Sequence, residues 1–317
     1  MVEKKTPRTA AEIMKSVERN AARKKKDRER RAAEVAARKP GEGYESCIVS
    51  FIDILGFRDL LATRHADDIV EILQMLREFT KPDERKPRRM KDARLHSRSF
   101  AESVSDAVVR VRVFDTQYRD GAFFHEVLDL LHAQVRCVGN GVLIRAGLTI
   151  GDAHVGLDGT GPVFGPAMVR AYEIESSEAV QPRIVVDEAA YEMFETDARL
   201  HKEGHSSKEE ASYVDRMLRL DGDGTRFIDY LCASESEFDH AFEYFSFLEQ
   251  HGELVRERLA VAEGRVRTKF EWLAAYHNEV VDDVRKEFSD GVRSAEAFGV
   301  ETGLDAASYF ENMRVTA

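Results

Sequence analysis

Apolar residues follow two different spacings between about residue 45 and residue 232. Runs rich in β-branched residues predict strands, and apolar residues that recur every three or four positions predict helices. The predicted strands cover 45–53, two runs within 98–113 that meet near Ser105-Asp106, 143–150 and 152–157 with a turn at Gly151, 183–187, 213–220 and 226–231. The predicted helices cover 66–79, 122–138 and 166–178. This order of elements predicts a mixed α/β fold (α+β) of the ferredoxin-like palm type.

Two segments of different composition flank this central region. Residues 9–38 are rich in Ala, Arg, Lys and Glu, and residues 1–43 are predicted to form a basic arm that is helical or partly disordered. The helical spacing resumes near residue 236 and continues to about residue 288, which predicts a helical C-terminal extension over 233–317. The catalytic-sized domain is therefore assigned to residues 44–232. Residues 81–94 and 197–212 are polar and predict loops.

The charge of the chain is unevenly distributed. Residues 1–40 contain 14 Lys and Arg against 6 Asp and Glu, a net charge of +8, whereas the whole chain carries −11 and the remainder therefore −19. A basic arm on an acidic body can meet nucleic acid, a membrane surface or the body itself. Because the body is acidic, nucleic-acid binding is a minor alternative.

The apolar runs and the cysteines indicate where the protein works. No apolar run approaches the ~20 residues that a membrane-spanning helix needs, and the basic N-terminus lacks the apolar segment of a secretory signal. Cys47, Cys137 and Cys232 are scattered without the spacing of metal ligands or disulfides. We therefore expect a cytoplasmic protein that does not bind a membrane.

Two aspartates stand where predicted strands end or turn. Asp53 follows an apolar run and precedes Gly56, and Asp106 lies at the junction of two β-rich runs. Carboxylates presented in this way suit a pair of hard divalent cations, which take oxygen ligands and bridge substrate phosphates. For either residue alone, a structural role as a hydrogen-bond acceptor is an equal alternative.

Four segments resemble the class III nucleotide cyclases in order and spacing, over roughly residues 45–232. They are Phe51-Ile52-Asp53-Ile54-Leu55-Gly56-Phe57, Ser105-Asp106, Ile144-Arg145-Ala146-Gly147-Leu148-Thr149-Ile150-Gly151 and Val163-Phe164-Gly165-Pro166-Ala167. More narrowly, the chain is similar to the pyrimidine cyclases of bacterial Pycsar anti-phage systems. The segments that carry this likeness are Glu102 to Val108, Gly165 to Tyr172, Pro182 to Val186 and Lys269 to Asn278.

The resemblance implies an enzyme that converts a pyrimidine nucleoside triphosphate to a 3′,5′-cyclic monophosphate and pyrophosphate. UTP is preferred over CTP only on the frequency of the two activities in the family. The product would act as a second messenger on a separate effector protein. The resemblance also implies a homodimer with shared active sites and two divalent metal ions, Mn²⁺ or Mg²⁺.

The resemblance assigns roles to individual residues. Asp53, Asp106 and the backbone of Ile54 would hold the metals. Arg145 would meet the phosphates, with a salt bridge at the surface or the interface as its alternative. The backbone at Gly56 and Phe57, where a strand turns into a helix, would cradle the β- and γ-phosphates.

The sequence departs from the purine cyclases at two places. Their interface-helix Asn and Arg correspond here to Val169 and Glu173, so either Arg170 or Arg183 supplies the catalytic charge, or the site is built differently. Glu102 occupies a base-reading place and matches the acidic residue that the guanylate cyclases have there. A carboxylate can accept a hydrogen bond from uracil, cytosine or guanine, so it does not choose the base.

The second base-reading place falls on Pro162, whose side chain forms no hydrogen bonds. A pocket with one polar reader suits a small ring better than a purine. A purine cyclase and a catalytically silent, cyclase-like binding dimer remain the alternatives.

Overall fold

The computed structural model describes residues 25–26, 43–78, 96–104, 107–156, 162–293 and 306–316. The contacts divide the chain into two units, 1–43 and 44–317. Most of the first unit, and with it the predicted basic arm, lies outside the described residues, as does the loop predicted at 81–94. The fold described below is that of the second unit.

One mixed sheet contains seven strands within these residues. The strands are β1 (Glu45–Ile54), β2 (Arg98–Val104), β3 (Ala107–Val113), β4 (Ile144–Ala153), β5 (Ile184–Val186), β6 (Leu218–Leu220) and β7 (Arg226–Ile228). Their order is β2-β3-β1-β4-β5-β7-β6, and every pairing is antiparallel except that of β4 with β5. The first four strands form the split βαβ arrangement of a ferredoxin-like fold. The predicted palm is therefore confirmed.

Helices connect and cover these strands. Those within the described residues are α1 (Phe57–Thr63), α2 (Ala66–Glu78), α3 (Ala122–Gly139), α4 (Pro166–Glu173), α5 (Glu188–Thr196), α6 (Ser207–Asp215), α7 (Tyr230–Ala233), α8 (Ala241–Val261), α9 (Gly264–Ser289) and α10 (Ala306–Met313). A π-helical turn, Ile174–Glu178, continues directly from α4. The described part of the chain contains no helix with both the length and the apolar character needed to span a membrane.

The central strand β1 separates two apolar layers because successive side chains point to opposite faces of a sheet. Ile48 and Ile52 belong to the larger core, which includes residues of α3, α8, α9 and α10. Cys47 and Val49 belong to a smaller cluster with residues of α4. Asp53 lies an even number of residues after Cys47 and Val49 on β1. Its side chain therefore points to the same face of the sheet, which is the face that α4 covers.

The hairpin predicted at Gly151 is wrong. β4 runs unbroken through this residue, which lies opposite Cys47 of β1. A side chain at Gly151 would place its Cβ 3.3 Å from that of Ala167, the second residue of α4. The glycine therefore admits a close helix rather than a turn.

The loop predicted at 197–212 is also wrong in part. It contains a 3₁₀ turn, Ala198–Leu200, and the beginning of α6. Ser206 and Glu209 form a capping box that starts this helix, because each side chain accepts a hydrogen bond from the backbone of the other. The strand predicted at 213–220 is correspondingly shortened to β6.

Candidate active site

Asp53 stands at the end of β1, in the middle of the palm. In the register of the sheet it lies opposite Ala107 of β3 on one side and Arg145 of β4 on the other. Its side chain is 22% exposed, so the carboxylate remains accessible to a ligand. The sheet thus presents one carboxylate within a transverse row of residues from three strands.

The chain reverses from strand to helix immediately after Asp53. Gly56 has a φ of +72°, a left-handed conformation that glycine adopts readily. Its carbonyl accepts hydrogen bonds from the amides of Asp59 and Leu60 at 2.9 and 3.1 Å. Phe57 is the first residue of α1. The structure therefore brings Gly56 and Phe57 to the strand-to-helix turn that the sequence predicts.

Arg145 connects Asp53 to a second acid. Its Nε donates to Oδ2 of Asp53 at 3.0 Å, and its Nη2 lies 2.7 Å from Oε1 of Glu175. Glu175 is buried, with 3% exposure. The guanidinium is therefore held between two carboxylates, and the salt bridge considered as an alternative role for Arg145 is present.

Glu175 reaches Arg145 because the π-helical turn lies unusually close to β4. A Cβ on Gly147 would come within 2.4 Å of the Ala171 carbonyl oxygen and 2.6 Å of the Ile174 Cβ. Only glycine leaves room for this approach. Local sequence patterns do not point to Glu175, although single π-helical turns occur frequently at functional sites.

The donor atoms near Asp53 are of the kind that hard divalent cations take. They are the Asp53 carboxylate and the neighbouring carbonyl of Ile54. Among the described residues, no group of three or more His, Cys, Asp and Glu side chains is placed to hold a metal ion. Asp106 lies outside those residues, but Ala107, which follows it, lies directly opposite Asp53. The row thus fits a metal site that needs a second carboxylate from residue 106.

Arg170 lies away from Asp53 and is engaged by other carboxylates. Its Nε and Nη2 contact the two carboxylate oxygens of Asp187 at 3.1 and 3.0 Å, and its Nη1 donates to Glu178 at 2.8 Å. The Thr149 hydroxyl also donates to Asp187, at 2.7 Å. Burial raises the pKa of Asp187, but these donors outweigh it and leave the pKa below its usual value.

Within one subunit, Arg170 and Asp53 lie next to different positions along β4. Thr149, which shares Asp187 with Arg170, is four residues from Arg145, or about 13 Å at 3.3 Å per residue. The structure therefore does not bring Asp53 and Arg170 together in one chain.

Arg183, the other candidate for the catalytic charge, is buried and occupied. It has 2% exposure and pairs with Asp221 and, at 3.0 Å, with Asp223. Its guanidinium carbon lies 5.7 Å from the ring centroid of Phe227 and 5.4 Å from that of Trp272. These contacts give Arg183 a structural role in joining β5, the turn between β6 and β7, and α9.

The two base-reading candidates are placed only in part. Glu102 lies in β2 opposite Val109, which pairs with Phe51 on its other side. Its side chain lies outside the described residues. Pro162 is exposed and follows the segment 157–161, which is not described.

An apolar stripe on and beside α4 faces solvent. Phe164, Val169 and Tyr172 are exposed by 46%, 57% and 52%. Tyr172 also packs edge-on against Phe51, with ring centroids 5.3 Å apart. Exposed apolar residues grouped in one part of the chain indicate a surface suited to a protein partner.

No protein-family model matches the chain, and no curated protein matches it. Among solved structures, it is similar to the catalytic core of a rhodopsin-guanylyl cyclase with converted specificity in complex with ATPαS. That likeness has 18% identity and a TM-score of 0.37 and covers 58% of this chain and 96% of the other.

A second similar structure is the monomeric guanylyl cyclase domain of the RhoGC fusion protein from the aquatic fungus Blastocladiella emersonii. Here the identity is 16% and the TM-score 0.34, with 58% of this chain and 95% of that one covered. The structure of a double mutant of the same domain is similar with 16% identity and a TM-score of 0.33, and the match covers 58% of this chain and 93% of that one. Likenesses this distant assign neither substrate nor activity to the present chain.

Proposed function

We propose that the protein is a class III nucleotide cyclase that converts UTP to 3′,5′-cyclic UMP and pyrophosphate. The row Ala107, Asp53, Arg145 carries this proposal. It puts one carboxylate at the end of the central strand, with the residue after Asp106 on one side and a guanidinium on the other. A metal-dependent reaction of a triphosphate needs this combination of acidic and cationic groups.

In the proposed reaction, the ribose 3′-oxygen forms a bond to the α-phosphorus in line with the bond that breaks. Pyrophosphate leaves, and the 3′-hydroxyl proton is released to solvent. Divalent cations held by Asp53 and Asp106 would lower the pKa of the 3′-hydroxyl and neutralise charge on the triphosphate. Arg145 positions the Asp53 carboxylate through their 3.0 Å hydrogen bond.

A homodimer with shared sites is part of the proposal. Arg170 lies beside a part of β4 that is too far from Arg145 for it to reach the Asp53 site of its own subunit. The stripe formed by Phe164, Val169 and Tyr172 offers an apolar surface for a second copy. Head-to-tail association across this surface would bring the Arg170 of one subunit to the Asp53 of its partner.

The choice of a pyrimidine rests on the sequence. Glu102 supplies one polar base reader, and Pro162 replaces the second with a side chain that forms no hydrogen bonds. CTP is the alternative substrate, since a carboxylate can accept from the cytosine amino group as well as from uracil N3–H. The test of the reaction is incubation with UTP and Mn²⁺. Cyclic UMP and pyrophosphate should form in equal amounts, and EDTA should abolish their formation. UDP or UMP as the main product would contradict cyclisation.

We further propose that the product is a second messenger of anti-phage defence, acting on a separate effector protein. The support is the resemblance of several segments, including Lys269 to Asn278, to the Pycsar pyrimidine cyclases. The test compares nucleotide extracts of a phage-infected bacterial host that carries either the wild type or Asp53→Asn. Cyclic UMP that rises after infection in the wild-type cells alone supports the role, and equal levels before and after infection contradict it.

A further inference from the structure

A lysine from the C-terminal helices belongs to the same charge cluster as Asp53. Lys269 lies in the second turn of α9, outside the ferredoxin-like palm. Burial and the Arg145 guanidinium lower the pKa of its ammonium, and Asp53 and Glu175 act in the opposite direction. All three groups therefore lie within electrostatic reach of Lys269.

The packing of α9 explains how this lysine arrives there. Trp272 follows Lys269 by three residues, which places both on one side of the helix. The indole Nε1 donates to Asp221 at 2.8 Å, and the ring lies against the guanidinium of Arg183. The Arg183 carbonyl in turn accepts from the amide of Ala146 at 3.2 Å. These contacts connect the first turns of α9, through Arg183, to the strand β4 that carries Arg145.

Lys269 differs from Arg145 in its ion pairing. Arg145 is held by Asp53 and by Glu175 at ion-pair distances. Within the described ranges, no carboxylate forms an ion pair with the Lys269 ammonium. Among the described residues, the cluster contains two carboxylates and two cations, so removing Lys269 would leave these groups with one net negative charge, which repels a polyphosphate.

We propose that Lys269 is a phosphate-binding residue that α9 contributes to the active site of its own subunit. Its ligand is the β,γ-diphosphate part of the nucleoside triphosphate, which becomes the pyrophosphate leaving group. This inference rests on the proposed function. It gives the C-terminal helices a direct part in the chemistry: they complete the palm with a cation that Arg145, already occupied, does not supply.

The test measures binding of inorganic tripolyphosphate to the full-length protein by calorimetry at fixed Mn²⁺. Loss of a charge-assisted hydrogen bond should raise the Kd of Lys269→Gln about tenfold, while the Kd for UMP, which lacks the β- and γ-phosphates, stays within about twofold. The matched control is Lys286→Gln. It removes the same charge from the exposed last turn of α9, about 26 Å along the helix.

Unchanged tripolyphosphate affinity in Lys269→Gln would overturn the inference, and so would an equal loss in Lys286→Gln. Should Lys269→Gln fail to fold, Lys269→Met keeps the apolar stem and is read in the same way. For turnover, Lys269→Arg should retain a KM within about threefold of the wild type, and Lys269→Gln should raise it about tenfold. A wild type that forms no cyclic nucleotide would refute the proposed function, and the tripolyphosphate comparison would still decide the role of Lys269.

Discussion

Arg145 and Asp53 lie directly opposite each other on two antiparallel strands, and the Nε of the arginine is 3.0 Å from Oδ2 of the aspartate. The pair fixes a carboxylate that would otherwise rotate at the end of β1. Glu175 holds the same guanidinium from the other side at 2.7 Å. The candidate metal ligand is therefore oriented before any substrate arrives.

The first prediction concerns the two candidate metal ligands, Asp53 and Asp106. Asp53→Asn and Asp106→Asn should each lower kcat at least about a thousandfold, because an amide is a poor ligand for a hard cation. Asp59→Asn changes an exposed carboxylate of α1 in the same way and should leave kcat within about twofold. Thermal unfolding checks that all three variants fold. Substantial turnover by either metal variant would refute the assignment.

The second prediction concerns the buried carboxylate behind Arg145. Arg145→Met removes an ion-pair partner of a glutamate that is only 3% exposed, and it should cost about 3 kcal/mol in the free energy of unfolding. Adding Glu175→Gln should recover part of that loss. Arg267→Met, which breaks the exposed pair with Glu271, should cost less than about 1 kcal/mol.

Urea denaturation of the wild type, Arg145→Met, Glu175→Gln, the double variant of the two and Arg267→Met measures these differences. Equal losses for Arg145→Met and Arg267→Met would mean that the Arg145–Glu175 contact contributes no more than a surface pair. Purely additive effects of Arg145→Met and Glu175→Gln would mean that the two side chains are not coupled.

The third prediction tests the shared site. Asp53→Asn and Arg170→Ala should each be inactive alone, whereas mixing the two unfolded variants and refolding them together should restore activity. Each mixed dimer then contains one intact site, so a random mixture should regain about a quarter of the wild-type rate. If Arg170 acts only through Asp187 of its own subunit, mixing restores nothing. A fully active monomer would also contradict the model.

The fourth prediction follows from two buried histidines. His251 and His277 stack with their Nδ1 atoms 3.1 Å apart, and burial lowers the pKa of His277 to about 4. The unfolded chain binds this proton near pH 6.5 and the folded protein does not. Stability from this group is therefore present above pH 6.5 and is lost as the pH falls towards 4, by up to about 3 kcal/mol.

Urea unfolding at several pH values between 7.5 and 4.5 measures the slope. His277→Gln should flatten it, and His240→Gln, at an exposed histidine before α8, should not. An unchanged slope in His277→Gln would mean that this imidazole does not set the acid sensitivity of the fold.

Local sequence patterns predicted the elements that depend on a regular apolar spacing or on neighbours close in sequence. β1 and Asp53 were identifiable because an apolar strand ends in a carboxylate before a glycine turn. Gly151 was misread because its local signal is that of a turn, whereas its reason is a helix that passes close to the strand. Glu175 carries no motif, and its position depends on a contact with Arg145, 30 positions away. Lys269 lies in a recognisable segment, but its place beside the palm depends on how α9 packs, which local patterns do not reveal.

The most direct test of the central claim is a competition among the four nucleotides. The purified full-length protein is incubated with equal amounts of ATP, GTP, CTP and UTP and with Mn²⁺ or Mg²⁺, and mass spectrometry identifies every cyclic monophosphate. Cyclic UMP as the dominant product is the predicted result, and cyclic CMP would keep the mechanism and change the base. A purine product would contradict the reading of Glu102 and Pro162. The absence of any cyclic nucleotide would contradict the account.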